Sequence, residues 1–198
     1  MKAYNTLLMT FVLATLLICS LNFLNKKSDK RGLRFEEEQP IEVFYLHELF
    51  KSTITNESLD LNDPLVYRGN AVNDTFSLFD IVNDKCLVFR FSGEACNTCI
   101  DFVIEQLKKT FPDYASNERI LLIGSNINNR VKEKYYGKPV ISYVLEDLGL
   151  PFEEYNIPFL MIIDRDRESK MMFIPEKSMP DLTEMYFKAV KERYFERG

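Results

Sequence analysis

The clearest pattern in the sequence is an apolar strand followed closely by an amphipathic helix. Residues 86–91 are rich in branched and aromatic side chains, which predicts a buried β-strand. After a short polar stretch, apolar residues recur at helical spacing until Pro112, which cannot continue a helix. These helical positions are Ile100, Val103, Ile104, Leu107 and Phe111. Two continuous apolar runs, 120–123 and 159–163, predict strands that are buried on both faces of a sheet.

Weaker patterns predict the elements around this centre. Residues 65–72 predict a hairpin that turns at Arg68, Gly69 and Asn70, while 75–82 fit either a short helix or a loop. The apolar positions within 41–50 are compatible with either a strand or a helix.

The second half of the chain predicts a short polar helix, two more strands and a last helix. The short helix covers residues 129–136, and the strands cover 140–145 and 171–174. Ser178 is expected to cap the last helix. The expected apolar face of that helix consists of Leu182, Met185, Tyr186, Ala189 and Val190. Alternating helices and strands, with a tight turn between the last two strands, predict an α/β sandwich around a mixed sheet.

The first part of the chain differs from the rest. Residues 7–24 contain no charged side chain, and as a helix they would span roughly 27 Å, close to the thickness of a bilayer's hydrocarbon core. They predict an uncleaved signal anchor, a cleaved signal peptide, or a lipoprotein signal acylated at Cys19. The basic cluster in 26–34 favours a cytoplasmic domain by the positive-inside rule. A single first hydrophobic segment behind a very short tail favours export instead, and export is the preferred interpretation.

Composition narrows the range of functions. The chain has 198 residues and a net charge of -5, which argues against a nucleic-acid-binding protein. Its four cysteines are too few for a disulfide-dense small domain, and one histidine nearly excludes a histidine-rich metal site. The predicted organisation is a signal anchor or signal peptide in 1–25, a basic then acidic linker of uncertain structure in 26–64, and one domain in 65–198.

Two cysteines lie where the central strand meets its helix. In the first turn of a helix, free backbone N–H groups and the helix dipole favour a thiolate, so Cys96 is the candidate nucleophile. Cys99 follows one turn later on the same side, where it can resolve a mixed disulfide. The same spacing occurs in zinc sites, but zinc needs two more ligands and the chain has no second cysteine pair. Redox chemistry without a cofactor or metal is therefore the preferred interpretation.

The combination of strand, C-x-x-C pair, helix and a later X-Pro-strand resembles the thioredoxin superfamily. Within it the sequence is most similar to membrane-anchored, envelope-facing TlpA-like thiol–disulfide oxidoreductases, over about residues 65–193. The resemblance implies a thioredoxin-like three-layer sandwich, with a mixed central sheet and flanking helices, plus the N-terminal hydrophobic helix. It also implies that Pro158 is cis and faces the cysteine pair, so that a substrate strand could pair with Ile157. An ordinary trans proline at the start of a strand is the alternative.

The sequence departs from the thioredoxin pattern at two positions near the pair. Ala95 replaces the usual aromatic residue before the first cysteine, and Arg90 stands in the strand where thioredoxin has a buried acid. Arg90 could lower the pKa of the thiol or pair with a carboxylate at the end of the sheet. Glu94 is a candidate proton acceptor for Cys99, although a solvated loop carboxylate is the preferred interpretation.

These observations predict a thiol–disulfide oxidoreductase, anchored through residues 7–24 with its domain in the periplasm. Protein disulfides are the expected substrates, the resemblance favours their reduction, and a membrane protein is the expected electron donor. One alternative is a thioredoxin-fold module that binds a client without turnover. A peroxide-reducing relative is a weaker alternative, because Gly93 stands where that chemistry expects Thr or Ser in a proline-led loop.

Overall fold

In the computed structural model, the described residues are 40–69, 71–127 and 135–196. The described residues from Leu46 onward form one compact unit, which carries the sheet. The predicted N-terminal hydrophobic helix and most of the predicted helix 129–136 lie outside the described residues. No described helix is both long and apolar enough to cross a membrane.

The described part of the chain contains seven strands and three α-helices. The strands are β1 (Leu65–Arg68), β2 (Thr75–Ser77), β3 (Cys86–Ser92), β4 (Ile120–Ser125), β5 (Val140–Tyr143), β6 (Phe159–Ile163) and β7 (Lys170–Phe173). The helices are α1 (Ile41–Asn56), α2 (Asn97–Thr110) and α3 (Pro180–Val190), with 3-10 turns at Leu78–Asp80 and Pro151–Tyr155 and a π-helical turn at Lys191–Phe195. The strands form one sheet in the order β2-β1-β5-β4-β3-β6-β7.

The directions of these strands confirm the predicted mixed sheet. β3 pairs in parallel with β4, and β4 in parallel with β5. β6 pairs antiparallel with β3 and with β7. A β-α-β unit next to two antiparallel strands and a final helix is a thioredoxin-like arrangement.

Two apolar clusters cover the two faces of the sheet. On one face, Leu87, Phe89 and Phe91 of β3 pack with α2 and α3. On the other, Cys86 and Val88 pack with residues from loops and 3-10 turns. All seven residues of β3 are buried, because the alternating side chains of this central strand supply both clusters. The start of α2 therefore follows closely on a strand that is packed on both faces.

Three sequence predictions about the first part of the sheet and the segment before it need correction or refinement. The hairpin is confirmed, but its second strand is Thr75–Ser77 rather than residues 71–72. The connection is longer because the N–H of Asp74 bonds the carbonyl of Ala71 and closes a separate turn. Residues 75–82 form that strand and a 3-10 turn, and the ambiguous segment 41–50 belongs to α1.

The prediction for α3 is wrong in its cap and in part of its buried face. Ser178 does not cap the helix, because its N–H and hydroxyl both bond the carboxylate of Glu176 at 3.0 Å; Met179 is the N-cap residue. Met185, expected to be buried, is 64% exposed. The buried positions Thr183, Tyr186, Phe187 and Val190 have the i, i+3, i+4, i+7 spacing of a helix face, rotated by one residue from the prediction.

Candidate functional site

The two cysteines lie at the end of β3, where the chain turns into α2. Cys96 is the N-cap residue of α2, and its carbonyl accepts the N–H groups of Cys99 at 3.0 Å and Ile100 at 3.1 Å. Ile100 is completely buried in the core, which fixes the first turn of the helix. Cys96 is exposed and Cys99 is half-buried, and both are free thiols.

The surroundings of the two sulfur atoms separate their acidities. The pKa of Cys96 is lowered to about 7, chiefly by a hydrogen bond from the Cys99 thiol, then by the Thr98 hydroxyl and the backbone N–H of Cys99. Burial and the hydrogen bond to Cys96 raise the pKa of Cys99 to about 11. Near neutral pH, Cys96 is therefore the thiolate that can attack, while Cys99 keeps its proton.

Sequence reasoning missed the roles of two residues near this thiol: Thr98 contacts the sulfur, and Lys177 contacts Thr98. The Thr98 hydroxyl lies 3.1 Å from the Cys96 sulfur, and the Lys177 ammonium lies 3.1 Å from the same hydroxyl. Thr98 belongs to the motif, but its role depends on a partner 79 residues away in the loop after β7. Only the fold brings that loop to the start of α2.

Arg90 does not lie beside the cysteines. Its Nε donates to Glu153 at 2.7 Å, and the side chains of this pair are 8% and 2% exposed. Arg90 also donates to the carbonyl of Phe91 and, at 3.2 Å, to Ser125. Of the two alternatives for Arg90, the pairing with a carboxylate is present, and the cation beside Cys96 is Lys177.

Glu94 lies in the loop that joins β3 to α2. Its carboxylate is exposed and accepts a 3.3 Å hydrogen bond from the Asn126 amide, which follows β4. Its backbone N–H bonds the Ser92 hydroxyl at 3.2 Å. Glu94 thus links the loop before α2 to the residue that follows β4.

Ile157 and Pro158 precede β6 at the same edge of the sheet as the cysteine pair. Phe159 is registered opposite Arg90, so Ile157 lies two residues further toward the end of β3 that leads to Cys96. Ile157 is 44% exposed. The expected cis bond before Pro158 is wrong here, since every described peptide bond is trans. Asn156, with a left-handed φ of 53°, turns the chain instead.

Zinc and other metals have no evident site in the described residues. Within them, no three His, Cys, Asp or Glu side chains cluster closely enough to hold an ion. The single histidine, His47, bonds Glu48 on α1.

Comparisons with known proteins give likenesses of fold only. No protein-family model and no curated protein matches the sequence. Among solved structures, Arabidopsis thaliana ScoI with copper bound has a TM-score of 0.45 and 9% identity, covering 68% of this chain and 99% of that one. The thioredoxin domain of a Bacteroides vulgatus thiol-disulfide oxidoreductase has a TM-score of 0.41 and 13% identity, and the match covers 65% of this chain and 98% of that one. A thioredoxin-like protein from Porphyromonas gingivalis has a TM-score of 0.43 and 15% identity, and the match covers 69% of this chain and 95% of that one. Likenesses this distant establish no activity for this chain.

Proposed function

We propose that this thioredoxin-like protein is a thiol–disulfide oxidoreductase of the bacterial envelope, with Cys96 as nucleophile and Cys99 as resolving thiol. One observation carries the proposal: two cysteines one turn apart have opposite surroundings. Cys96 is exposed with a pKa of about 7, whereas Cys99 is half-buried with a pKa of about 11. The exchange reaction needs this division between attacker and resolver.

The reaction proceeds through two exchanges that balance in atoms and electrons. The Cys96 thiolate attacks one sulfur of a substrate disulfide; a Cys96–substrate bond forms, the substrate S–S bond breaks, and the leaving thiolate takes up a proton. Cys99 then loses its proton and attacks the Cys96 sulfur. The Cys96–Cys99 disulfide forms as the second substrate thiol leaves, so two electrons pass from the pair to the substrate. A dithiol donor must then reduce the pair.

Reduction of substrates is favoured over oxidation by the acidity of Cys96. A strongly stabilised thiolate makes a dithiol a poor reductant, as in disulfide-forming enzymes whose nucleophile has a pKa of about 3.5. A pKa of about 7 matches thioredoxin, a reductant. The resemblance described above favours the same direction.

Substrate binding is assigned to Ile157 and Pro158. Ile157 is partly exposed at the sheet edge that carries the pair, where an extended substrate segment can lie along the backbone. Pro158 has no N–H, so it donates no hydrogen bond of its own at that position.

Membrane attachment through residues 7–24 and a periplasmic domain complete the proposal. They rest on the apolar run in the sequence, which lies outside the described residues. A membrane-embedded dithiol protein is the proposed electron donor.

Three cysteine variants of the full-length chain test the function. With dithiothreitol as donor, C96S is expected to reduce insulin disulfides at the uncatalysed rate, because Ser offers no thiolate. After C99S has been reduced and the dithiothreitol removed, it is expected to accumulate mixed disulfides with its substrate, because the resolving thiol is missing. C86A is the matched control, since Cys86 is buried with a pKa raised to about 11 by desolvation; it should turn over normally.

The pH dependence provides a second readout. Wild-type attack should rise with pH through about 7 as Cys96 ionises, and level off above it. Full turnover in C96S would contradict the proposal, and wild-type protein that reduces insulin no faster than the uncatalysed rate would favour a client-binding module instead.

A further inference from the structure

A chain of two hydrogen bonds leads from the loop after β7 to the nucleophilic sulfur. The Lys177 ammonium is 3.1 Å from the Thr98 hydroxyl oxygen, which is 3.1 Å from the Cys96 sulfur. We propose that Lys177 is a positioning residue that fixes the Thr98 hydroxyl as a hydrogen-bond donor to the Cys96 thiolate. This inference rests on the proposed function and identifies a residue that helps to keep its nucleophile, Cys96, in the thiolate form.

The direction of the hydrogen bonds follows from the chemistry of the donors. A lysine ammonium only donates, so the Thr98 oxygen must accept in its contact with Lys177. The hydroxyl proton is then directed away from Lys177 and toward the sulfur. Without Lys177, the hydroxyl is free to rotate, and its oxygen can accept a hydrogen bond from the Cys96 thiol instead. A hydrogen bond donated to the charged form of a group favours that form. The relay from Lys177 through Thr98 to the Cys96 sulfur therefore favours the thiolate.

The other charged groups around the pair leave Lys177 as the source of this effect. Glu176 faces the pair but accepts two hydrogen bonds from Ser178, and its charge raises the pKa of Cys99. Glu94, in the loop before the motif, accepts from Asn126. Lys177 lowers the pKa of both cysteines through its charge. A charge effect alone would reach both sulfur atoms, whereas the relay reaches only Cys96.

The relay also differs from a charge effect in its response to salt. Cys96, Thr98 and Lys177 are all exposed, and salt weakens charge interactions between exposed groups. A hydroxyl held at hydrogen-bond distance acts without crossing solvent, so its contribution persists at high ionic strength. The two explanations can therefore be separated on the same protein.

The test measures alkylation of Cys96 by iodoacetamide in the reduced full-length protein in detergent, from about pH 5 to about pH 10. Peptide mass spectrometry separates Cys96 from Cys99. The variants are T98V, K177M and T98V/K177M, with T98S and K177R as conservative replacements. K188M is the matched control, because Lys188 is an exposed lysine on α3 with the same charge. T98A is a second variant in case valine disturbs the first turn, and circular dichroism checks the fold.

T98V should raise the pKa of Cys96 by about one unit. At about pH 6 its alkylation should be about three- to fourfold slower, because tenfold less thiolate is partly offset by a more nucleophilic sulfur. Above about pH 9 it should become about threefold faster than wild type. K177M should shift the profile in the same direction, the double variant should match T98V, and T98S, K177R and K188M should stay near wild type.

Several results would overturn the relay. A pH profile of K177M equal to that of K188M would mean that Lys177 has no part in the relay. An unchanged profile of T98V would mean that Thr98 has no part in it. Additive shifts in the double variant, or a K177M shift that disappears at high salt, would mean that Lys177 acts by charge alone. Alkylation needs no substrate disulfide, so failure of the relay is distinguishable from failure of the proposed function in the insulin assay.

Discussion

Cys96 and Cys99 illustrate how neighbouring residues of one type acquire different chemistry. Position at the start of a helix was enough to nominate Cys96 as the nucleophile from sequence. The largest contribution to its lowered pKa is instead the hydrogen bond from Cys99, with Thr98 next. The helix-dipole argument and these hydrogen bonds therefore favour a thiolate at the same sulfur for different reasons. Lys177 could not be predicted, because its position is set by the pairing of β6 with β7, far along the chain.

The buried Arg90–Glu153 pair makes a prediction about stability. Glu153 accepts from Arg90, from the Tyr143 hydroxyl at 3.0 Å and from the Leu148 N–H at 2.8 Å. Burial raises the pKa of Glu153, and Arg90 opposes that effect. R90M would leave the carboxylate without its cation, and should lower the free energy of unfolding by about 3 kcal/mol in urea titrations.

An exposed ion pair provides the control for that variant. Lys109 and Glu184 lie 3.4 Å apart with side chains 66% and 63% exposed. K109M removes the same charge and should cost less than about 1 kcal/mol. Equal losses in R90M and K109M would mean that the buried pair contributes no more than a surface pair.

At the scale of elements, burial on both faces made the central strands predictable. β4 and β6 contain continuous apolar runs, β3 is rich in branched and aromatic residues, and α2 has a strong helical repeat that ends before Pro112. β2 was missed, because its three residues depend on pairing with β1. The face of α3 was misjudged because its apolar and aromatic residues cover a wider arc than the stripe that meets the core, so the pattern alone did not show which ones are buried.

The junction between β3 and α2 depends on a close backbone approach at Gly93. Its N–H bonds the Ser125 carbonyl at 2.7 Å, and a Cβ added there would overlap the Asn126 carbonyl oxygen and lie 2.8 Å from its carbon. Because the obstacle is backbone, G93A should lower the free energy of unfolding by about 2 kcal/mol and change the alkylation rate of Cys96. Chemical denaturation and alkylation would measure the two effects.

Gly124 offers a contrasting site in β4. A Cβ there meets the ends of the Ile127 and Val140 side chains, which can change rotamer. G124A should therefore leave the Cys96 alkylation rate near that of wild type. If G93A also left that rate unchanged, the Gly93 contact would not be what positions the cysteine loop.

At the scale of the whole molecule, the sheet directions collect the site at one edge. The parallel strands β3, β4 and β5 end at the same edge, and the antiparallel β6 begins there. The loop with Cys96, the end of β4 and the segment with Ile157 therefore meet by topology rather than by proximity in sequence. The cysteine pair after the central strand predicted this edge of the sheet as the site. The pattern did not predict which residues the other loops bring to the same edge.

The side of the membrane on which this edge lies is testable with the protein in living cells. Exposed Cys96, with a pKa of about 7, should react with a membrane-impermeant maleimide, whereas buried Cys86, with a pKa of about 11, should not. If the domain faces the periplasm, intact cells expressing the full chain should label as strongly as lysed cells. Labelling that requires prior reduction would mean that the pair rests as a disulfide. C96S should lose most of the signal and C86A should keep it, which would assign the labelling to Cys96. Labelling of the wild-type protein only after lysis would place the domain in the cytoplasm and contradict the exported topology.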